Sequence, residues 1–203
     1  MIRMRVKTEA KREAILEVAS QVFQELGYER ASMDEIAARG GGSKVTLYGY
    51  FSSKHQLFLA VVDHMAAHQL GPAFDELVPG GDDLAGVLRR FGEKFLAFIC
   101  TPEAVGAYRM VAAQPLQSGV GRDFFEVGPK RGQATVTAYL QSEMAAGRLQ
   151  QADAAVAALH LMALLGAEAH HPLLMGATTT PTRQRIKQMV ERAVTVFMAA
   201  YAS

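Results

Sequence analysis

Apolar residues recur along this chain at helical spacing, and the alternating runs that mark strands are scarce. Ile15, Val18, Ala19, Val22, Phe23 and Leu26 lie three and four apart and predict a first helix over about 8–26, stopped by Gly27. Ser32 followed by Glu35 has the form of a capping box and opens a short second helix, which Gly40, Gly41 and Gly42 end. Ser43 caps a third helix over about 44–50. Ser53 with Gln56 opens a longer fourth through Leu57, Phe58, Val61, Val62 and Met65.

Beyond a link at 79–83 rich in Pro, Gly and Asp, the character changes. Leu84, Val87, Leu88, Phe91, Phe95 and Phe98 form one stripe. Thr101-Pro102 starts the next helix, and Pro115 ends or kinks it. Another runs over about 124–146 and stops at Gly147. Asp153 caps an apolar helix over about 154–174, hydrophobic nearly all round and so buried on more than one side. The last covers about 181–202, with Ile186, Val190, Ala193, Phe197 and Tyr201 on one face. The fold class is all-α with about nine helices and no internal repeat.

Composition narrows the picture less than pattern does. Half the residues are hydrophobic, so a substantial core can be buried, and the formal net charge of +1 announces no polyanionic partner. The charge is unevenly placed, however. Arg3, Arg5, Lys7, Lys11 and Arg12 face only Glu9 in the first twelve residues, a basic arm suited to phosphate or a solvated terminus. Cys100 is the single cysteine, so no disulfide forms within the chain. No apolar run follows the N-terminal charges, and the most apolar stretch, 154–167, is too short for a bilayer. A cytoplasmic protein without membrane contact is the expectation.

Residues 32–54 carry the chemistry. Ile36, Ala37, Leu47 and Phe51 supply a small apolar face across a tight glycine turn, and Lys44, Thr46, Tyr48 and Tyr50 occupy other faces. That is the layout of a helix-turn-helix whose second helix enters the major groove. Ile36, Ala37, Gly41, Ser43, Leu47, Tyr48, Tyr50, Phe51 and Lys54, with Ile15, Ala19, Phe23, Gly27 and Tyr28 before them, resemble the pattern of the TetR family of regulators. The resemblance covers about residues 8–65.

It implies a DNA-binding head over 1–55, a connecting fourth helix over about 54–70, and a ligand-binding and dimerisation domain over 71–203. It further implies a homodimer on a palindromic double-stranded operator, acting as a repressor that a small, mostly hydrophobic effector releases, with no cofactor, metal or catalytic residue. By position, Tyr48 and Lys54 resemble the family's phosphate ligands. Ser43 and Thr46 are further phosphate donors, and Lys44, Val45 and Thr46 are set to reach base edges. Ser32 and Met33 place backbone N–H groups, and Tyr50 completes the set. Two departures stand out. Gly42 replaces an apolar turn residue, and Gly49 gives up a side chain on the reading helix.

In the second half, Phe91, Phe95, Phe98, Tyr108, Met110, Phe124, Phe125 and Met162 are candidates to line a cavity, against the plainer reading that each is ordinary core. Arg109 or His160 is a candidate anchor for a polar end. Val156, Leu159, Ala163, Val190, Val194 and Phe197 are candidates for a dimer interface built as a four-helix bundle. Two rivals remain at this point. One is a helical small-molecule-binding protein with a weakened DNA head. The other is a metal-binding protein using His64 and His68, which sit at i and i+4 beside Asp63 but without a His-Glu-x-x-His run.

Overall fold

The computed structural model describes residues 8–81 and 83–203. Arg3, Arg5 and Lys7 of the basic arm lie outside the described residues. The helices are α1 Glu9–Arg30, α2 Met33–Arg39, α3 Lys44–Tyr50 and α4 Lys54–Met65. A π-helical turn, Ala66–Leu70, carries α4 directly into α5, Gly71–Phe74. Then follow α6 Leu84–Ile99, α7 Pro102–Ala112, a 3₁₀ turn at Leu116–Ser118, α8 Val120–Val127 and α9 Pro129–Ala145. The chain closes with α10 Ala154–Gly166, α11 His170–Leu174 and α12 Arg183–Tyr201. The all-α class holds. Among the described residues no single helix is long and apolar enough to cross a membrane.

Most starts are written in side-chain caps. Ser32, Ser43, Ser53 and Thr101 each accept from the backbone N–H three residues on, and Asp153 accepts from Ala155 and Val156. Two expected long helices are interrupted. The segment 124–146 divides into α8 and α9 at Gly128 (φ −107°, ψ −85°), because the ring of Pro129 drives the residue before it out of the α region. The segment 154–174 stops at Gly166 and restarts as α11. Pro172 lacks an N–H and its ring would strike the carbonyl of residue 168 in a continuous helix.

Buried apolar side chains fall into two groups. In the first, α1 (Leu16, Ala19, Val22, Phe23), α2 (Ile36), α3 (Leu47) and α4 (Leu57, Phe58, Val61, Val62) pack around Phe58. The ring of Phe58 meets Phe23 and Tyr28 edge-on at 5.4 and 5.3 Å. Val120 and Phe124 of α8 and Ala107 of α7 belong to this same group, so the two halves share packing along α4. The second group joins α6 (Leu88, Phe91, Leu96), α9 (Val136, Leu140), α10 (Leu161, Leu165) and α12 (Val190, Val194, Phe197).

The turn between α2 and α3 uses its glycines unequally. Gly41 sits at φ +60°, a left-handed conformation that costs a side-chain-bearing residue about 1–2 kcal/mol. Gly42 lies outside that region, and an added Cβ there would meet only the flexible end of Lys11, at 3.9 Å. Beside it is a hollow of about 20 Å³ walled by Ile15, Val18, Ile36 and Leu47. Gly42→Ala should therefore stabilise the protein by about 0.4–1 kcal/mol, whereas Gly41→Ala should destabilise it by about 1–2 kcal/mol. Thermal unfolding of the two variants checks the pair, and a gain at both positions would contradict this reading of the turn.

Candidate nucleic-acid interface and cavity

Helix α3 is short, and its exposed side carries little bulk. Leu47 turns into the core, while Val45 stands 84% exposed and Tyr48 45% exposed. No described residue hydrogen-bonds the Tyr48 hydroxyl. Ser43 Oγ caps the helix by accepting from Thr46 N at 3.1 Å and lies 2.8 Å from Thr46 Oγ1, so these hydroxyls serve each other. Lys44 Nζ lies 2.7 and 3.0 Å from the two carboxylate oxygens of Asp34 on α2. That hydrogen bond, with the carboxylate's charge, pushes the Lys44 pKa up and keeps the ammonium charged.

Two expected DNA contacts, Lys54 and Tyr50, have other work in this structure. Lys54 Nζ donates to the carbonyls of Tyr28 (2.6 Å), Ala31 (3.1 Å) and Glu29 (3.3 Å) and sits 4.4 Å from the centre of the Tyr28 ring. An ammonium has three donors, and here all are engaged. The end of α1 at Arg30 creates the need, since it leaves the last turn's carbonyls without helical partners. The Tyr50 hydroxyl accepts from Thr8 N at 2.9 Å, pinning the end of α3 to the start of α1. Met33 is buried in the core, so any contact it makes with DNA is through its backbone. Ser32 remains exposed, with its Oγ on Glu35 N.

The second half holds a partly open cavity of about 260 Å³ between the end of α4, the π turn and helices α5 to α10. Phe95, Phe98, Tyr108, Phe124 and Met162 line it. Phe91 does not: it is fully buried and stacks on Phe95 at 5.5 Å. Met110 packs against the head core instead, and Phe125 faces outward. The wall that sequence reasoning missed is Met65 at the end of α4 and Ala66, Ala67 and Leu70 of the π turn, with Phe74 beyond. Leu70 and Phe74, four apart, were its one available signal.

At the rim Arg131 Nη1 meets Asp63 Oδ1 at 2.6 Å, tying α9 to α4. Thr135 Oγ1 donates to the Arg131 carbonyl at 3.2 Å. The Tyr108 hydroxyl has no hydrogen-bond partner among the described residues, and burial raises its pKa, so it stays protonated.

Neither proposed polar anchor reaches this cavity. Arg109 donates to the Leu174 and Leu173 carbonyls at 2.9 and 2.5 Å, which caps α11. His160 Nδ1 lies 2.6 Å from the Tyr201 hydroxyl on an exposed face. The dimer candidates divide. Val156 (42%), Leu159 (51%) and Ala163 of α10 are exposed, as is Val196 (53%) of α12. Val190, Val194 and Phe197 are buried inside the chain, because the strongest stripe of α12 packs against α6 and α10.

His64 and His68 approach with ring centres 4.2 Å apart, but Asp63 is spent on Arg131, and no three His, Cys, Asp or Glu side chains converge among the described residues. Burial pushes the Cys100 thiol up to about 11, away from nucleophilic chemistry.

A three-helix head with an exposed second motif helix, set on a helical body that holds an apolar cavity, defines a helix-turn-helix regulator. Residues 15–61 match the model for bacterial regulatory proteins of the tetR family, and residues 86–203 match that for the C-terminal domain of AefR-like transcriptional repressors. The chain belongs to the TetR family, whose members are DNA-binding transcription factors rather than catalysts.

It is 50% identical over 58 residues to the HTH-type transcriptional activator FasR of Mycolicibacterium smegmatis, an alignment spanning 29% of this chain and 26% of FasR. The body is therefore not covered by that likeness. Along its whole length the chain resembles a putative TetR-family regulator from Mesorhizobium loti (TM-score 0.86, 24% identity, 98% of this chain and 100% of that one). It also resembles the flavonoid-responsive regulator FrrA (TM-score 0.74, 27% identity, 96% and 98%).

Lys54→Ala should cost the head about 1.5–3 kcal/mol, since it strands carbonyls that a charged donor now serves. The same variant should leave the slope of log affinity for DNA against log salt unchanged. A loss of about one unit in that slope, with stability intact, would instead mark a phosphate contact.

Proposed function

We propose that this protein is a ligand-responsive transcriptional regulator of the cytoplasm, binding a palindromic double-stranded DNA operator as a homodimer. The observation that carries the proposal is the outward face of α3. Val45 and Tyr48 project from a helix whose two ends are tied down, by Ser43 at the start and by Tyr50 to Thr8 at the finish. Val45 offers apolar contact to a thymine methyl, Lys44 a donor to a base edge, and Tyr48 a hydroxyl to phosphate. Ser43 and Thr46 lie beside them at the backbone, and Ser32 and Met33 offer amides there.

The exposed apolar face of α10 (Val156, Leu159, Ala163) with Val196 of α12 supports a four-helix dimer interface. A two-fold dimer sets two α3 helices for half-sites roughly 34–36 Å apart. The likeness of residues 86–203 to AefR-like repressors favours repression, relieved when a small hydrophobic molecule fills the cavity. The likeness to FrrA, a flavonoid-responsive regulator, is in keeping with a small, ring-bearing effector. Helix α4 joins the two sites: Val62 and Met65 line the cavity, and His55 Nε2 at its other end meets Asp123 Oδ2 of α8 at 3.0 Å. A ligand that prefers one placement of α4 shifts the spacing of the heads.

Fluorescence anisotropy with duplex DNA from upstream of its own gene, at two salt concentrations, tests this. Saturable binding that beats random DNA and weakens with salt is the expected result. Tyr48→Phe should lose about 1–2 kcal/mol on every sequence, and Val45→Ala should relax preference at one base pair. Binding no better than random DNA, for upstream fragments and for a selected random library alike, would favour a helical ligand-binding protein whose head is weakened at Gly42 and Gly49.

A further inference from the structure

We propose that the cavity takes a neutral aromatic molecule of about two fused rings carrying one hydroxyl group, which the Tyr108 hydroxyl recognises. This rests on the reading above that the cavity is the effector site.

Size comes first. A cavity of roughly 150 Å³ admits one benzene, about 25 Å³ per carbon. At 260 Å³ this one holds about ten carbons by that scale, and a long acyl chain overfills it. Shape comes second. Phe74, Phe95, Phe98 and Phe124 present rings, and Met65 and Met162 present thioethers. Both groups gain from edge and face contact with a flat π-system.

Charge comes third. The ionic side chains in the wall are Asp63 and Arg131, and they already neutralise each other at 2.6 Å. Both side chains are exposed at the mouth, so the pair leaves no unpaired charge inside the cavity for an ionic ligand to meet. A neutral ligand disturbs neither.

Polarity comes last. Of the polar side chains in the wall, Asp63, Arg131 and Thr135 are engaged within the protein. Tyr108 is the remaining hydroxyl. Its ring is held by edge-on contacts with Phe124 and His170, each at 5.1 Å, so the position of its oxygen is set. A cavity-lining residue whose hydroxyl has no partner among the described residues offers a group that a ligand oxygen can serve.

Isothermal titration calorimetry on the full chain, without DNA, compares 2-naphthol, naphthalene, 2-naphthoate and dodecanoate. The expected order places 2-naphthol about tenfold or more ahead of 2-naphthoate and dodecanoate. Tyr108→Phe should weaken 2-naphthol by about tenfold and leave naphthalene unchanged, so naphthalene also reports that the variant cavity is intact. Equal or tighter binding of either carboxylate, an unchanged 2-naphthol affinity in Tyr108→Phe, or no 2-naphthol binding at millimolar concentration would each overturn the proposal. A last arm adds 2-naphthol to the DNA complex. Binding without release leaves the ligand class standing and overturns only the effector reading.

Discussion

The burial of one face of α4 between α1 and α8 is the contact through which the two halves of this molecule act on each other. Leu57, Phe58, Val61 and Val62 are sealed on that face, with Val120 and Phe124 of α8 closing it from the body side. A helix of this length is a rod of about 18 Å. Its near end holds the last turn of α1 through Lys54, and its far end forms cavity wall. Close-packed side chains do not deform smoothly. Val62 and Phe124 belong to the same packed face that holds the head.

Local chemistry was the most legible part of the sequence. A serine or threonine three residues ahead of a free first-turn N–H is a strong structural statement, and Ser32, Ser43, Ser53 and Thr101 each accept there. The boxes expected at Ser32 and Ser53 nevertheless do not close: Glu35 turns to Arg39, and Gln56 accepts from Ser52. What periodicity cannot convey is what lies opposite a stripe. Phe91 and Phe95 sit one turn apart on the same face of α6, yet one is packed solid and the other borders empty space. The same blindness put Val190, Val194 and Phe197 at a subunit interface. In α12 the richest stripe goes to the chain's own core. The outward face keeps the sparser one, here Val196.

Charged residues were the least legible, because each answers to a partner far away in sequence. Lys54 follows the family's pattern in position, but its ammonium is drawn into the carbonyls that the end of α1 leaves open, 23 to 26 residues earlier. Arg109 is drawn in the same manner to the end of α11, 64 and 65 residues later. Both cases follow one rule. A helix end inside a folded chain exposes carbonyls that must be served, and a long basic side chain nearby serves them before it is available to any ligand.

The π turn after α4 has an evolutionary reading. Such a turn holds one residue more than the α-helix it interrupts, and each residue advances a regular helix by about 100°. Deleting a single residue within 66–70 would regularise the rod from Lys54 to Phe74. It would also swing Leu70 and Phe74, which now face the cavity, round to a different side. The chamber is thus one codon away from being walled up or reshaped, while the head, fixed at the opposite end of α4, keeps its geometry. A lineage can exchange the molecules it answers to by insertion and deletion at that turn, without touching the surface that faces DNA.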